Sequence, residues 1–310
     1  MVYRPITNPA SRIAALLAGD VDFVEDPPVD DLARLQGNPN VRVVVRGPSY
    51  RVVFIGLDLH REQNSPDVSG TPDARNPLLD RRVREAMSLA IDRQAIVDRV
   101  MNGIATPAAQ PLAYPMFGTR EDLASVPPAD AERARALLAE AGYPNGFNVV
   151  LHTPNGRYMN DVRVSQTIAA MWSRIGIRTT VDAGALSVYF SAVNKYEYSV
   201  FLLGWGASTG EVSNSLSALM MTVDKEKGQG TSNAGRYSNP ALDEVILEAD
   251  AELDDAKRSA LLQEGIKIGM DDYAILPIHF EHTTWAMKPD INYSGRTDQM
   301  TMAAEITLAQ

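Results

Sequence analysis

Between residues 149 and 203 the sequence alternates short apolar or β-branched runs with amphipathic stretches, and that alternation constrains the fold more than any other feature. Residues 149–152, 177–181 and 200–203 have the length and composition of strands, while 162–175 and 186–194 carry apolar side chains at helical spacing. Strands joined through helices must cross over, so the order predicts an α/β fold with a mixed or largely parallel sheet and helices on its faces. Further helices are expected at 240–249 and 255–270, and a late strand at 275–280. The first fifty residues read as helix, strand, helix, strand at 10–17, 21–24, 28–35 and 41–45. The run VVFIGL at 52–57 reads as a buried strand, and the polar loop 60–76 after it is expected at the surface.

The stretch 76–112, NPLLDRRVREAMSLAIDRQAIVDRVMNGIATPAAQPL, spells a helix pair. Asp80 can cap a helix on which Val83, Ala86, Met87 and Ala90 recur at three and four. Asp92 can cap a second one with Ile96, Val97, Val100 and Met101, and Gly103 and Pro107 are stop signals beyond it. Pro111, Pro115, Pro127 and Pro128 mark an irregular connection, after which Asp130 can cap the helix DAERARALLAEAG, ended by Gly142 and Pro144.

The residue order of 76–112 resembles the segment "PF.D.RVR.A...AID...I...V..G.G.PA..P" of the family 5 solute-binding proteins, the extracytoplasmic receptors of peptide, nickel and related ABC importers. Four more segments are similar to that family in the same order: 18–25 to "L.aGevD.v", 134–147 to "A..LL.eAGyp.Gf", 198–205 to "yd....gW" and 275–287 to "..iPl.h....w.". The resemblance implies a periplasmic binding protein-like fold of type II, cluster C-like, with one nearly complete lobe and an incomplete piece of the other. Residues 1–50 would belong to lobe I, 51–280 would hold the interlobe crossing strand and lobe II, and 281–310 would return to lobe I. The family's "L.aGevD.v" falls near the middle of its full-length proteins, so Met1 is expected not to be a natural start. A truncated lobe would expose strand edges and favour self-association. The implied function is transport: binding of a small-molecule or peptide ligand in the periplasm and its delivery to ABC permease membrane subunits, without chemistry and without a cofactor.

Charge and composition narrow the alternatives. Asp plus Glu number 39 against 29 Lys plus Arg, a balance of −10 with no basic cluster, so a phosphate backbone is repelled and no nucleic-acid partner is expected. The absence of cysteine excludes disulfides, thiolate metal sites and cysteine nucleophiles. No run approaches the roughly 18 apolar residues that span a bilayer, and the opening MVYRP has neither the apolar centre nor the cleavage site of a signal peptide. A periplasmic location is therefore implied by the resemblance alone.

The sharpest enzyme-like signal is Gly206-Ala207-Ser208-Thr209-Gly210, a G-x-S-x-G pattern between an expected strand and a helix at 213–221. Asp250, Asp254 or Asp271 and then His279 or His282 follow in the order a serine hydrolase could use. Against that alternative, no HGGG-like oxyanion loop lies upstream, and Gly204-Trp205 falls on the family's "GW" turn. His279 and His282, three apart on a strand, point to opposite faces and would not converge on a metal; His60 and His152 sit in separate segments. The carboxylate pairs Asp30-Asp31, Asp254-Asp255 and Asp271-Asp272 stand at expected helix ends, where capping or a favourable dipole contact accounts for them.

What remains is a ligand-binding constellation. Trp205 follows a strand at the sheet's carboxyl edge, where open α/β sheets accept ligands, and resembles the family's pocket tryptophan. Ser208, Glu211 and Asn214 could supply hydroxyl, carboxylate and amide contacts from the next loop. The loop 154–161 is similar to the family's "g.y..d" loop: Arg157 could clamp a carboxylate, Tyr158 could line the cleft, and Asp161 is expected to cap the following helix. Tyr50 and Arg51, heading the VVFIGL strand, complete the candidate set. Two departures bear on the ligand. Peptide receptors of the family hold the α-ammonium group with an aspartate where this chain has Ser208, and oligopeptide members carry an arginine at the position of Leu202. Free-amine peptides therefore fit only if Glu211 swings in, and small peptides, glutathione-like peptides, opines and metal chelates remain candidate solutes.

Overall fold

A computed structural model describes residues 2–308; Met1 and residues 309 and 310, the outer ends of the expected lobe I segments, lie outside the described residues. The chain opens with α1 (Pro9–Ala18), β1 (Phe23–Glu25), α2 (Val29–Gln36), β2 (Arg42–Arg46) and β3 (Arg51–Leu57). Then come β4 (Val68–Ser69), α3 (Arg81–Leu89), α4 (Arg93–Arg99), β5 (Ala105–Pro107) and α5 (Ala131–Glu140). The alternating part holds β6 (Asn148–Pro154), α6 (Asp161–Ser173), β7 (Arg178–Gly184), α7 (Leu186–Asn194) and β8 (Val200–Gly206). It is followed by α8 (Val212–Leu219), α9 (Pro240–Ala251), α10 (Asp255–Asp271), β9 (Leu276–Glu281) and β10 (Thr283–Met287).

These elements form two sheets. The large one has seven strands in the order β4-β6-β8-β3-β9-β5, with β7 along β6, and the small one has three in the order β1-β10-β2. The large sheet is mixed rather than largely parallel. Only β6·β7 and β6·β8 pair parallel, while β3·β8, β3·β9, β4·β6 and β5·β9 are antiparallel. The crossovers through α6 and α7 enforce the parallel pairs, and the antiparallel ones come from strands distant in sequence. The loop 60–76 is less peripheral than expected: β4 pairs with β6, and buried Asn76 donates to the Asp58 and Arg61 carbonyls at 3.0 Å each.

Both faces of the large sheet are covered at its centre, which explains why β3 and β8 read as continuous apolar runs, while β7 stays largely exposed. Val53, Ile55 and Leu57 of β3 join Val200 and Leu202 of β8 in a core shared with α3 to α6. Val52, Phe54, Phe201 and Leu203 face the other way, into a core with α7 to α10. A bulge in β9, where Val53 and Phe54 oppose His279 and Pro277, leaves Ile278 as the extra residue and turns Phe280 into the second core. The small sheet packs α1 and α2 on one face through Ile13, Leu16 and Leu35. On the other, Trp285 and Tyr293 stack edge to face at 5.2 Å beneath the carboxyl-terminal segment.

The helix pair forms as its sequence signals require. Asp80 accepts from the Arg82 N–H and Asp92 from the Ala95 N–H, and the residues expected on the apolar faces are buried. Asp130 and Asp254 likewise cap α5 and α10. Asp271 and Asp272 do not follow the expected logic: they end α10, where the helix dipole disfavours a carboxylate, and are offset by Lys267 and Arg84. Trp172, fully buried on α6, donates from Nε1 to the Met87 carbonyl at 2.9 Å and so locks α6 onto α3. Trp172→Ala should cost about 3–5 kcal/mol of stability, and Asp92→Ala about 1 kcal/mol, in urea unfolding followed by circular dichroism. A loss below roughly 1 kcal/mol for the tryptophan would contradict this packing.

Candidate functional site

Four segments meet at one edge of the large sheet. β8 runs parallel to β6, and β3 runs against β8 with Arg51 opposite Gly206 and Val52 opposite Trp205. β9 runs against β3 with Phe280 opposite Val52. The carboxyl ends of β6, β8 and β9 therefore lie beside the start of β3. At this same edge the chain passes to the small sheet twice, from β2 into β3 and from β9 into β10, and β2 pairs with β10 there, Arg46 opposite Thr283. Beyond the edge a cleft of about 730 Å³ opens between the two sheets. One wall is the loop after β6; the other is Arg12, Asp26 and the start of α2; Arg51, Glu281 and His282 form the floor, with Gln299 beside them.

The loop after β6 is held by acceptors in place of regular structure. Asn160 stands at the amino end of α6 in the left-handed region, with no side-chain cap. Asp161 is not the helix cap. Its buried carboxylate turns back and accepts the N–H groups of Gly156, Arg157 and Tyr158 at 2.8–3.2 Å. The next N–H, of Met159, donates to Oε1 of Glu281 at 2.9 Å. Four successive amides are thus spent on two carboxylates, which fixes the loop and spreads both negative charges into the backbone.

Of the candidate residues, Arg157, Tyr158 and Arg51 line this cleft. Both guanidinium groups approach the Tyr158 ring, Arg157 at 5.3 Å and Arg51 at 5.9 Å from its centroid. Tyr158 is buried and rests on Gly204 of β8, where a Cβ would come within 2.6 Å of the ring, so a side chain at 204 would displace it. Arg157 is exposed, and among the described residues its side chain makes no hydrogen bond or ion pair. Arg51 sits 3.8 Å from Glu281, with its buried Nε lacking a hydrogen-bond partner.

Trp205 lies beside a separate apolar slot of about 170 Å³ that shares Tyr158 with the cleft. Its Nε1 donates to Asn214 Oδ1 at 2.9 Å, so these two candidates orient each other. Glu211 is committed elsewhere: Arg258 grips both carboxylate oxygens at 2.5 and 2.7 Å, and Ser213 adds a hydroxyl bond. The Arg258 bonds, helped by Ser213, hold its pKa below the usual glutamate range. Tyr50 packs against Gly210, and its carbonyl accepts from the Ala207 N–H at 3.0 Å. Tyr50, Ser208, Glu211 and Asn214 line neither cavity.

Nothing in the geometry supports a serine nucleophile. Ser208 lies exposed in a turn outside the positive-φ region, so the strained elbow is missing, and its hydroxyl makes no hydrogen bond among the described residues. Asp254 is a helix cap and Asp271 pairs with Lys267. His279 is fully buried with neither ring nitrogen bonded, and burial, with His282 adding to it, pushes its pKa down to about 3. His282 bonds Thr106 Oγ1 at 2.8 Å and presses on Gly47 of the crossing, where no Cβ would fit.

Sequence reasoning missed Arg12, Asp26, Glu281 and Gln299, which come from segments far apart in the chain. A local signal existed for two of them: Asp26 precedes a Pro-Pro turn, and Glu281 is a lone acid ending an apolar strand. By surface area Asp26 is exposed to the cleft, yet protein atoms crowd it on the remaining sides, and that desolvation, with Glu281 and Glu25 adding repulsion, pushes its pKa up to about 6. A raised carboxyl pKa means that the folded state holds this proton more tightly than the unfolded chain. Its contribution thus favours folding near the ordinary value of 3.8 and is lost as pH rises through about 6. Carboxyl-detected NMR should show Asp26 titrating near 6, and Asp26→Asn should flatten the stability profile in that window. A midpoint near 4 would contradict the geometry.

Comparison with known proteins follows the same outline. A profile for the bacterial extracellular solute-binding proteins, family 5 Middle, matches residues 1–226. Heme-binding protein A of Haemophilus influenzae is 27% identical over 284 residues, 90% of this chain and 48% of that protein. Glutathione-binding protein GsiB of Salmonella paratyphi A is 29% identical over 309 residues, 95% of this chain and 56% of that one. The chain thus spans about half the length of these curated relatives. Among solved structures, the periplasmic binding protein DppA of Helicobacter pylori in complex with the peptide STSA superposes with a TM-score of 0.83 at 20% identity, over 99% of this chain and 56% of that one. NikA of Staphylococcus aureus gives 0.77 at 19%, over 95% and 58%. The α/β fold is that of the periplasmic binding proteins, and the chain belongs to family 5 of the bacterial extracellular solute-binding proteins.

Proposed function

We propose that the protein is the solute-binding receptor of an ABC importer, acting in the periplasm and passing a small peptide or peptide-like solute to membrane permease subunits without chemistry. The observation that carries this reading is the 730 Å³ cleft, whose walls come from both sheets and whose floor is the pair of crossing strands. A solute buried there touches both sides, so its binding favours closure about the crossing. In this reading the small sheet with α1, α2 and the carboxyl-terminal segment belongs to lobe I, and the large sheet is lobe II. The relatives named for heme and glutathione, and the neighbours named for peptide and nickel–histidine complexes, support a solute carrier and leave the cargo open.

The wall itself says something about that cargo. Ser208 is neutral and Glu211 is neutralised by Arg258, so the Trp205 loop offers no free carboxylate for an ammonium group. Swinging Glu211 away would strip the partly buried Arg258 of a two-point partner, at a cost of about 1–3 kcal/mol. Arg157 and Arg51 instead offer positive charge beside Tyr158, matched to a carboxylate-bearing solute. Native mass spectrometry of the complete protein will identify the co-purified solute, and calorimetry will rank it. Arg157→Ala should weaken binding by about 10- to 100-fold, and these 310 residues alone should bind weakly or not at all. Undiminished affinity in either case, or stoichiometric labelling of Ser208 by a fluorophosphonate probe, would refute the proposal.

The outer edges of β1 and β2 are unpaired in the small sheet among the described residues. We propose that they support self-association of this chain. Sedimentation should show a concentration-dependent dimer; a monomer at high concentration would dismiss it.

A further inference from the structure

Glu281 occupies a position that no other carboxylate among the described residues shares. It is the last residue of β9, separated only by His282 from Thr283, where the chain enters the small sheet, and it is only 5% exposed. Its carbonyl accepts the Ser49 N–H at 2.8 Å, which pairs the two crossing strands with each other. Oε1 accepts the Met159 N–H of the cleft-wall loop at 2.9 Å. Oε2 accepts from Gln299 Nε2 at 3.3 Å, and Gln299 lies on the carboxyl-terminal segment that packs over the small sheet. One buried side chain therefore touches the crossing, the ligand loop and the segment packed over the small sheet.

We infer that Glu281 is a positioning residue that couples the angle between the two sheets to the presentation of Arg157 and Tyr158, an inference that rests on the receptor reading above. The coupling follows from rigidity. The three amides before Met159 are fastened to Asp161, so the loop cannot flex internally and moves as a block when its Met159 end is pulled. A rotation about the crossing must shift either Gln299 or Met159 relative to the carboxylate. Side-chain contacts between the halves away from the crossing are too exposed to set the angle: Asp30 meets Arg163 at 2.8 Å with side chains 60% and 48% exposed, and Asn102 at 2.9 Å. Burial makes the Glu281 bonds worth more than these, because an unmade bond there leaves a desolvated carboxylate or amide.

The test needs no ligand. The chain has no cysteine, so spin labels at Asp20→Cys and Glu132→Cys, both exposed and on opposite halves, report the inter-sheet distance cleanly. Amide hydrogen exchange reports the loop. In Glu281→Ala, Met159 should exchange about tenfold or more faster, and the distance distribution should broaden. Glu281→Gln keeps an oxygen acceptor for Met159 and should return both readouts close to the wild type, which a loss of fold would not do. If Glu281→Ala does not fold, Gln299→Ala cuts only the link to the small-sheet side and should broaden the distances while Met159 stays protected. Unchanged distances and unchanged Met159 exchange in a folded variant would overturn the coupling, and so would failure of Glu281→Gln to restore them. Because neither readout involves solute, a failed ligand search leaves this result standing and a failed coupling leaves the receptor reading standing.

Discussion

The molecule depends on one constraint: its two sheets are joined by a pair of strands that cross side by side. β2 continues into β3 as β9 continues into β10, and both sheets pair these strands with each other, Arg46 to Thr283 on one side and Val52 to Phe280 on the other. A double crossing resists shear and translation, because either would break ladder bonds in both sheets. Bending is the motion that leaves the ladders intact. The cleft lies directly over that bend, and its location and its capacity to open and close share one cause.

The site is built largely by spending charge in advance. Asp161 is consumed by three loop amides and the Val162 amide, Glu281 by the Met159 amide and by Gln299, and Glu211 by Arg258. Such pre-satisfied carboxylates cost little to keep buried and hold neighbouring groups in place. The cleft cations whose side chains make no hydrogen bond among the described residues, Arg157 in solvent and Arg51 with its orphaned Nε 3.8 Å from Glu281, are the ones that can gain from a solute. Trp205, expected to cover the ligand, has its polar handle bonded to Asn214 and lines the adjoining apolar slot. Both the cleft and the slot touch Tyr158, so its place on Gly204 governs how they connect.

Local signals in the sequence carried the elements well. Asp80, Asp92 and Asp130 cap the helices they precede, and residues 186–194 form the helix their spacing announces. What could not be read locally was pairing at long range. That β3 lies between β8 and β9, or that β5 adds to β9 as an edge strand, depends on contacts separated by well over a hundred residues. The strand β10 was missed because its Thr-Thr-Trp-Ala-Met run is buried by partners from the first fifty residues. The site followed the same division. The loops around Arg157 and Trp205 were legible because each follows a strand of the alternating part, whereas Asp26, Glu281 and Gln299 become site residues only once the crossing has folded. Asp161 was misassigned because a helix-initial aspartate has two uses, and only the backbone turn at Asn160 shows which one applies.

The central claim is that solute binds where the crossing, the loop after β6 and the opposite wall converge. A hydrogen-exchange difference map of the complete protein with and without its co-purified solute tests that most directly. The account predicts protection concentrated at 49–51, 155–161 and 281–282, with smaller effects at 205–214. Protection centred instead on the groove of about 400 Å³ at the sheet's far edge, around Leu89, Val126 and Tyr273, would contradict it.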